Sequence, residues 1–131
     1  MTFIINQHST SPILYYPLTT KVMERYNITE DMLDDVAVSF SMIDQNTNFY
    51  RIANVGAEFI VNDDITRKYN GSKYVLAYQF TVKDTRKSGV FLGEFKLDFM
   101  NWDKSCSKIT LPQSDKIDII IKDSITFTEV R

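Results

Sequence analysis

A strict two-residue alternation between residues 91 and 99 limits the fold more than any other feature of the sequence. One side of this run is apolar or small and the other side is mixed: Phe91, Gly93, Phe95, Leu97 and Phe99 against Leu92, Glu94, Lys96 and Asp98. Successive side chains of a β-strand point to opposite faces of the sheet, so the run predicts a strand with one face in a core. Such a sheet has to pack against a second layer to bury that apolar face.

The same alternation recurs along the chain. It is clear in residues 36–42, 74–81, 117–121 and 125–128, and it is weaker in residues 13–16, 49–53, 57–61 and 107–111. Polar segments that favour turns separate these runs, and the 13% share of aromatic residues suits strands. The pattern predicts an all-β domain, a sandwich or a barrel of about seven to nine short strands.

One short helix is predicted at residues 30–34. Thr29 can cap its first turn, and Glu30 and Asp31 place negative charge near the positive end of the helix dipole. The chain shows no internal repeat or interdomain linker, and its 131 residues are the usual size of one domain. We therefore predict one β-sandwich domain over residues 21–131, preceded by residues 1–20 as a segment of its own.

Residues 1–20 have a less regular pattern than the rest of the chain. Their apolar side chains could form an edge strand of the core or an arm that docks on a neighbouring subunit, and the sequence leaves both interpretations open. The residues assigned to the interface hypothesis are Phe3, Ile4, Ile5, Ile13, Leu14, Tyr15 and Tyr16.

Charge and composition restrict the classes of function. The net charge is -2 and the sequence has no concentrated basic run, so nucleic acid is not an expected partner. No apolar run approaches the roughly 20 residues of a membrane span, and no secretion signal is visible, so we expect no membrane contact and synthesis in a cytoplasm. Cys106 is the single cysteine and cannot form an intrachain disulfide.

The sequence carries no recognisable catalytic pattern. His8 is the one histidine, and its polar surroundings supply neither the nucleophile nor the orienting partner that a histidine base needs. The acidic residues at 30–35 and 63–64 match no calcium-loop spacing. We therefore expect no enzyme activity, no cofactor and no metal. Trp102 is the best candidate for stacking on a sugar, which keeps a carbohydrate-binding adhesion module as the alternative function.

The segment 82–95 has a more specific order of residues: Asp84, a short polar turn, Gly89, and then the aromatic strand. This order resembles the corner before the penultimate strands of immunoglobulin-like domains in tailed-phage structural proteins. In particular, residues 33–123 are similar to the N-terminal domain of the baseplate upper protein family. The resemblance implies an immunoglobulin-like antiparallel β-sandwich and assigns a structural corner to Asp84, Gly89, Phe91, Gly93 and Phe95.

The resemblance also implies a function. It predicts a non-enzymatic virion protein of a tailed phage, made in the host cytoplasm and assembled with other virion proteins and with copies of itself. The place in the particle stays open among the capsid surface, a head-fibre base, the head–tail region and the tail or baseplate. One departure concerns Phe91, which stands where the family has tyrosine, so the hydroxyl bond of a tyrosine corner cannot form at that position.

Overall fold

The computed structural model describes residues 1–62, 71–100 and 108–124. Within these ranges the chain forms nine strands, one short α-helix and one 3₁₀ helix. In chain order they are β1 Thr2–Asn6, β2 Leu14–Leu18, α1 Thr20–Arg25, the 3₁₀ helix Glu30–Leu33, β3 Val36–Asp44, β4 Tyr50–Gly56, β5 Glu58–Val61, β6 Tyr74–Tyr78, β7 Gly89–Phe99, β8 Lys108–Leu111 and β9 Ile117–Lys122.

The strands form two sheets. The larger sheet has the order β1-β9-β7-β3-β4, and β8 also pairs with β7. The smaller sheet has the order β2-β6-β5. β9 pairs with the first part of β7, from Gly89 to Gly93, and β8 pairs with the later part, from Phe95 to Asp98. β8 and β9 therefore follow one another along the same side of β7, and β3 covers the other side.

This strand order is that of an immunoglobulin-like domain. The smaller sheet corresponds to strands B, E and D, and the run β9-β7-β3-β4 corresponds to G, F, C and C′ of a variable-type domain. The predicted immunoglobulin-like β-sandwich is therefore confirmed. One detail differs from the prediction, since β1 runs parallel to β9 whereas the other paired strands of the described residues are antiparallel.

The core lies between the two sheets and is built around Phe40. Its ring lies 4.6 Å from the Tyr78 ring, 5.0 Å from Phe95 and 5.8 Å from Phe80, measured between centroids. Phe40 and Tyr78 come from different sheets, so these contacts join the two layers. The odd-numbered residues of β7 from Phe91 to Phe99 all face this core, as their alternation predicts.

Residues 1–20 contribute an edge strand to each sheet. β1 pairs with β9 in the larger sheet, and β2 pairs with β6 in the smaller one. Ile5 is 2% exposed and Leu14 is fully buried, so both side chains belong to the core of the chain itself. In the described structure this segment is part of the sandwich.

The helical segments differ from the predicted single helix. The segment after Thr29 is a 3₁₀ helix, Glu30–Leu33, in which Met32 and Leu33 are buried. The additional helix α1 begins after Thr19, whose Oγ1 accepts a hydrogen bond from the Val22 N–H at 3.2 Å. It has six residues and none is buried, so it leaves no apolar periodicity in the sequence.

Some predicted features lie outside the described residues: the strand at 125–128, the acidic pair at 63–64, Trp102 and Cys106. In the part of the chain that is described, no helix has the length and apolar character needed to cross a bilayer.

Candidate functional site

The connection from β6 to β7 is organised by the Asp84 carboxylate. Its Oδ2 accepts a hydrogen bond from the Tyr78 hydroxyl at 2.6 Å and another from the Thr81 N–H at 2.9 Å. The Asp84 N–H in turn donates to the Thr81 Oγ1 at 3.1 Å. These three bonds fix the turn that follows β6, which gives the predicted corner residue Asp84 a structural role.

The hydroxyl at this turn comes from Tyr78 in β6, and its acceptor is a side-chain carboxylate. Burial, and then the hydrogen bond to Asp84, raise the pKa of the Tyr78 hydroxyl well above its ordinary value. Phe91 itself is 1% exposed and contributes packing alone. The sequence alone does not reveal this pair, because Tyr78 is one of several aromatic residues in an alternating strand.

Replacing Tyr78 with phenylalanine is expected to lower the free energy of unfolding by about 1–2 kcal/mol, because it removes a buried hydroxyl bonded to a carboxylate. Urea denaturation would measure the loss. Tyr50→Phe, compared at a protein concentration of about 1 µM, is the matched control, since Tyr50 is 65% exposed and its change should stay within about 0.5 kcal/mol. Equal effects of the two substitutions would contradict the role of the Tyr78–Asp84 bond.

The same pair predicts a pH dependence. A tyrosine in the unfolded chain ionises near pH 10, whereas the pKa of Tyr78 in the folded chain is higher. The folded state therefore holds this proton more tightly, and the stabilisation is present below about pH 10 and is lost as the pH rises above it. Between pH 8 and about pH 11, the melting temperature of the native chain should fall more steeply than that of Tyr78→Phe.

Residues 7–9 are tied to the same connection. Thr85 is fully buried, and its Oγ1 donates to the Ser9 carbonyl at 2.9 Å. The Gln7 side chain donates to the Arg86 carbonyl at 2.7 Å and accepts from the Ser124 N–H at 3.2 Å. His8 lies here as an exposed residue whose backbone N–H donates to the Thr85 carbonyl at 3.0 Å. These bonds hold together three segments that are distant in sequence.

The remaining corner residues shape β7. Gly89 has a φ of +147°, which glycine adopts without strain and other residues rarely adopt. Gly93 lies so close to Phe40 and Ile119 that its backbone leaves no space for a side chain. Phe95 is fully buried. These residues position β7 at the centre of the larger sheet.

A cleft of about 480 Å³ lies at one end of the sandwich, between Thr19, Glu30 and Ser72–Tyr74. The Tyr74 hydroxyl donates to Glu30 Oε1 at 2.6 Å, and Lys73 Nζ lies 3.7 Å from the same oxygen. The hydrogen bond from Tyr74, and then the charge of Lys73, lower the pKa of the Glu30 carboxyl. Among the described residues, no group of three or more His, Cys, Asp or Glu side chains could hold a metal ion.

The seven residues of the interface hypothesis differ in exposure. Ile5 and Leu14 are buried, and Phe3, Ile13, Tyr15 and Tyr16 are partly buried. Phe3 stacks on Phe80 with 5.6 Å between ring centroids, and Tyr16 lies 6.0 Å from Phe95. Ile4 is 51% exposed, and it is the one member of the set whose side chain is mostly accessible.

Ile4 belongs to a row of apolar residues on the outer face of the larger sheet. Ile120 lies opposite Ile4 on one side and opposite Val90 on the other. Ile43 likewise lies opposite both Leu92 and Tyr50. Residues opposite in register share a face, and Val90 and Leu92 share one because they are two positions apart. The apolar stripe thus consists of Ile4, Ile120, Val90, Leu92, Ile43 and Tyr50, and it crosses β1, β9, β7, β3 and β4.

The stripe is accessible, and polar residues border it. Val90 is 43% exposed, Ile4 is 51% exposed and Tyr50 is 65% exposed. Next to it, the Glu94 carboxylate and Lys116 form an ion pair at 2.9 Å. Further along the same face lie Lys96 opposite Thr110 and Asp98 opposite Lys108. Apolar residues flanked by polar ones are usual in a protein–protein contact.

Comparison of the chain with family models, with curated proteins and with solved structures returned no match.

The end cleft and the apolar stripe differ in their chemistry. The end cleft is lined by hydroxyls, by Lys21 and by an exposed ion pair, with Leu18 and Met23 as its apolar side chains. The stripe is a connected apolar surface on a rigid sheet, and contiguous exposed apolar patches of this kind mark interaction sites. We therefore take the apolar stripe as the candidate functional site.

Proposed function

We propose that the chain is a non-enzymatic structural protein of a tailed-phage virion that acts by assembly with virion proteins, copies of itself included. The apolar stripe is the observation that carries the binding role, because Ile4, Tyr50 and Val90 remain 43–65% exposed on one face of the larger sheet. The similarity of segment 82–95 to phage immunoglobulin-like domains supports the placement in a virion. This placement rests on analogy, since one fold serves many functions.

The structure of the corner fits a protein that works as a rigid building block. Asp84 and Thr85 fasten the β6–β7 connection to β6 and to residues 7–9 through hydrogen bonds of 2.6–3.1 Å. A sheet held in this way keeps its outer face in one shape, which lowers the entropic cost of binding. The carbohydrate-binding alternative depended on Trp102, which lies outside the described residues, and we do not propose it.

The test is the presence of the chain in assembled particles. Phage particles produced by cells that encode the chain would be purified by density gradient and analysed by mass spectrometry. We expect the chain at a fixed copy number relative to the major capsid protein. Recovery of the chain in the soluble fraction, with none in the particles, would contradict the proposed function.

A further inference from the structure

We infer that the partner of the apolar stripe is a second copy of this chain, bound so that the outer faces of two larger sheets pack against each other. This inference rests on the proposed function, in which the chain acts by assembly, and it names the partner and the surface.

The course of the stripe favours a copy of itself as the partner. The stripe runs from Ile4 on one edge strand, through Val90 on the central strand, to Tyr50 on the other edge strand. Sheets pack face to face about 10 Å apart and cross at a small angle. With a two-fold axis in the interface, the stripe of one copy lies along the stripe of the other. Every apolar residue then meets an apolar surface.

The area of the face fits a dimer of ordinary size. The strands of the larger sheet have between four and eleven residues, spaced about 3.4 Å apart along a strand and about 4.8 Å between strands. The outer face therefore offers roughly 700 Å². This is close to the area that each partner contributes to a standard protein–protein interface, about 800 Å².

The charges around the stripe permit this pairing. The described outer face carries Glu94, Asp98 and Asp118 together with Lys96, Lys108, Lys116 and Lys122. These are three negative and four positive groups, a sum of +1, so neither sign dominates. Two copies of a face with mixed charge can approach with little net repulsion, whereas this face does not attract a strongly charged partner.

Sedimentation equilibrium of the purified full chain, from about 1 µM to about 1 mM, tests the inference. We expect a monomer–dimer equilibrium with a midpoint on the order of 10 µM, because the face is of standard area and only part of it is apolar. Raising the salt from roughly 50 mM to 500 mM should change the dissociation constant by less than about threefold, since apolar contacts are not screened.

Val90→Glu is the decisive variant. A two-fold axis introduces its charge twice into the apolar stripe, so the dissociation constant should rise at least about tenfold. Val82→Glu is the matched control: Val82 is 54% exposed and lies in the β6–β7 connection, off the sheet face, so dimerisation should be unchanged. Circular dichroism would verify that both variants fold. Ile4→Glu, at the exposed edge of the stripe, replaces Val90→Glu if that variant fails to fold.

The possible outcomes distinguish the dimer inference from the proposed function. A chain that stays monomeric at about 1 mM, or a dimer that Val90→Glu and Val82→Glu affect equally, overturns the inference. If such a monomer is still present in particles, the proposed function stands and the stripe binds another virion protein. A dimer that Val90→Glu dissociates, made by a chain absent from particles, supports the inference and overturns the proposed function.

Discussion

Phe40→Ala is expected to lower the free energy of unfolding by about 3–5 kcal/mol, the largest effect of any single substitution considered for this chain. Phe40 is fully buried, and its ring contacts the rings of Tyr78, Phe80 and Phe95. Its removal deletes apolar contacts between the two sheets and leaves a cavity that the surrounding rings cannot fill. Urea or guanidinium denaturation, followed by tryptophan fluorescence and far-UV circular dichroism, would give the change.

Phe49→Ala is the matched control for this substitution. Phe49 precedes β4 and is 76% exposed, so its replacement by alanine should change the free energy of unfolding by less than about 0.5 kcal/mol. A loss below about 1 kcal/mol for Phe40→Ala would mean that the two sheets do not pack through this ring. The assignment of the core would then be wrong.

Gly93→Ala is expected to be the second most damaging change, with a loss of about 1–3 kcal/mol, and Gly93→Val should cost more. A Cβ atom at this position would lie 2.6 Å from the Ile119 Cδ1 and 2.9 Å from the Phe40 Cζ. Both neighbours are fully buried, so neither can move away without displacing the core. The substitution therefore overpacks the place where β7, β3 and β9 meet.

Two further variants make the Gly93 prediction specific. At Gly56, also within a strand, an added Cβ meets nothing within 4 Å, so Gly56→Ala should change the free energy of unfolding by no more than about 1 kcal/mol. Ile119→Val removes the Cδ1 atom that the new Cβ would meet. In a double-mutant cycle, Gly93→Ala should therefore cost about 1 kcal/mol less in the Ile119→Val background. Additive losses would show that the damage has another origin.

Much of the fold follows from local patterns in the sequence. The alternation from Phe91 to Phe99 predicted both the strand β7 and its buried face, because the core side of a strand repeats every second residue. The runs that contain Phe40 and Ile119 were predicted for the same reason. Asp84 was assigned to a corner through a resemblance alone, and its hydrogen bond to Tyr78 was not predicted.

The features that the sequence concealed depend on pairing between distant strands. β1 is a short segment, and its parallel pairing with β9 joins Thr2 to Asp118, which no local period can reveal. β2 contains Pro17, which lacks a backbone N–H and weakens the strand signal.

The stripe was hidden for the same reason. Ile120, Val90 and Leu92 lie on the non-core side of their own strands, where single apolar residues are ordinary. Register alone brings them into one row with Ile4 and Tyr50.

The parallel pairing of β1 with β9 also orders events during protein synthesis. The ribosome produces β1 before the other described strands and β9 after them, so β1 has no partner strand until β9 has been made. Pairings between residues so far apart in sequence form slowly, and an unpaired strand edge can bind wrong partners in the meantime. Ile4 joins the apolar row when β1 docks on β9. A nascent chain therefore cannot complete the apolar row before β9 has been synthesised.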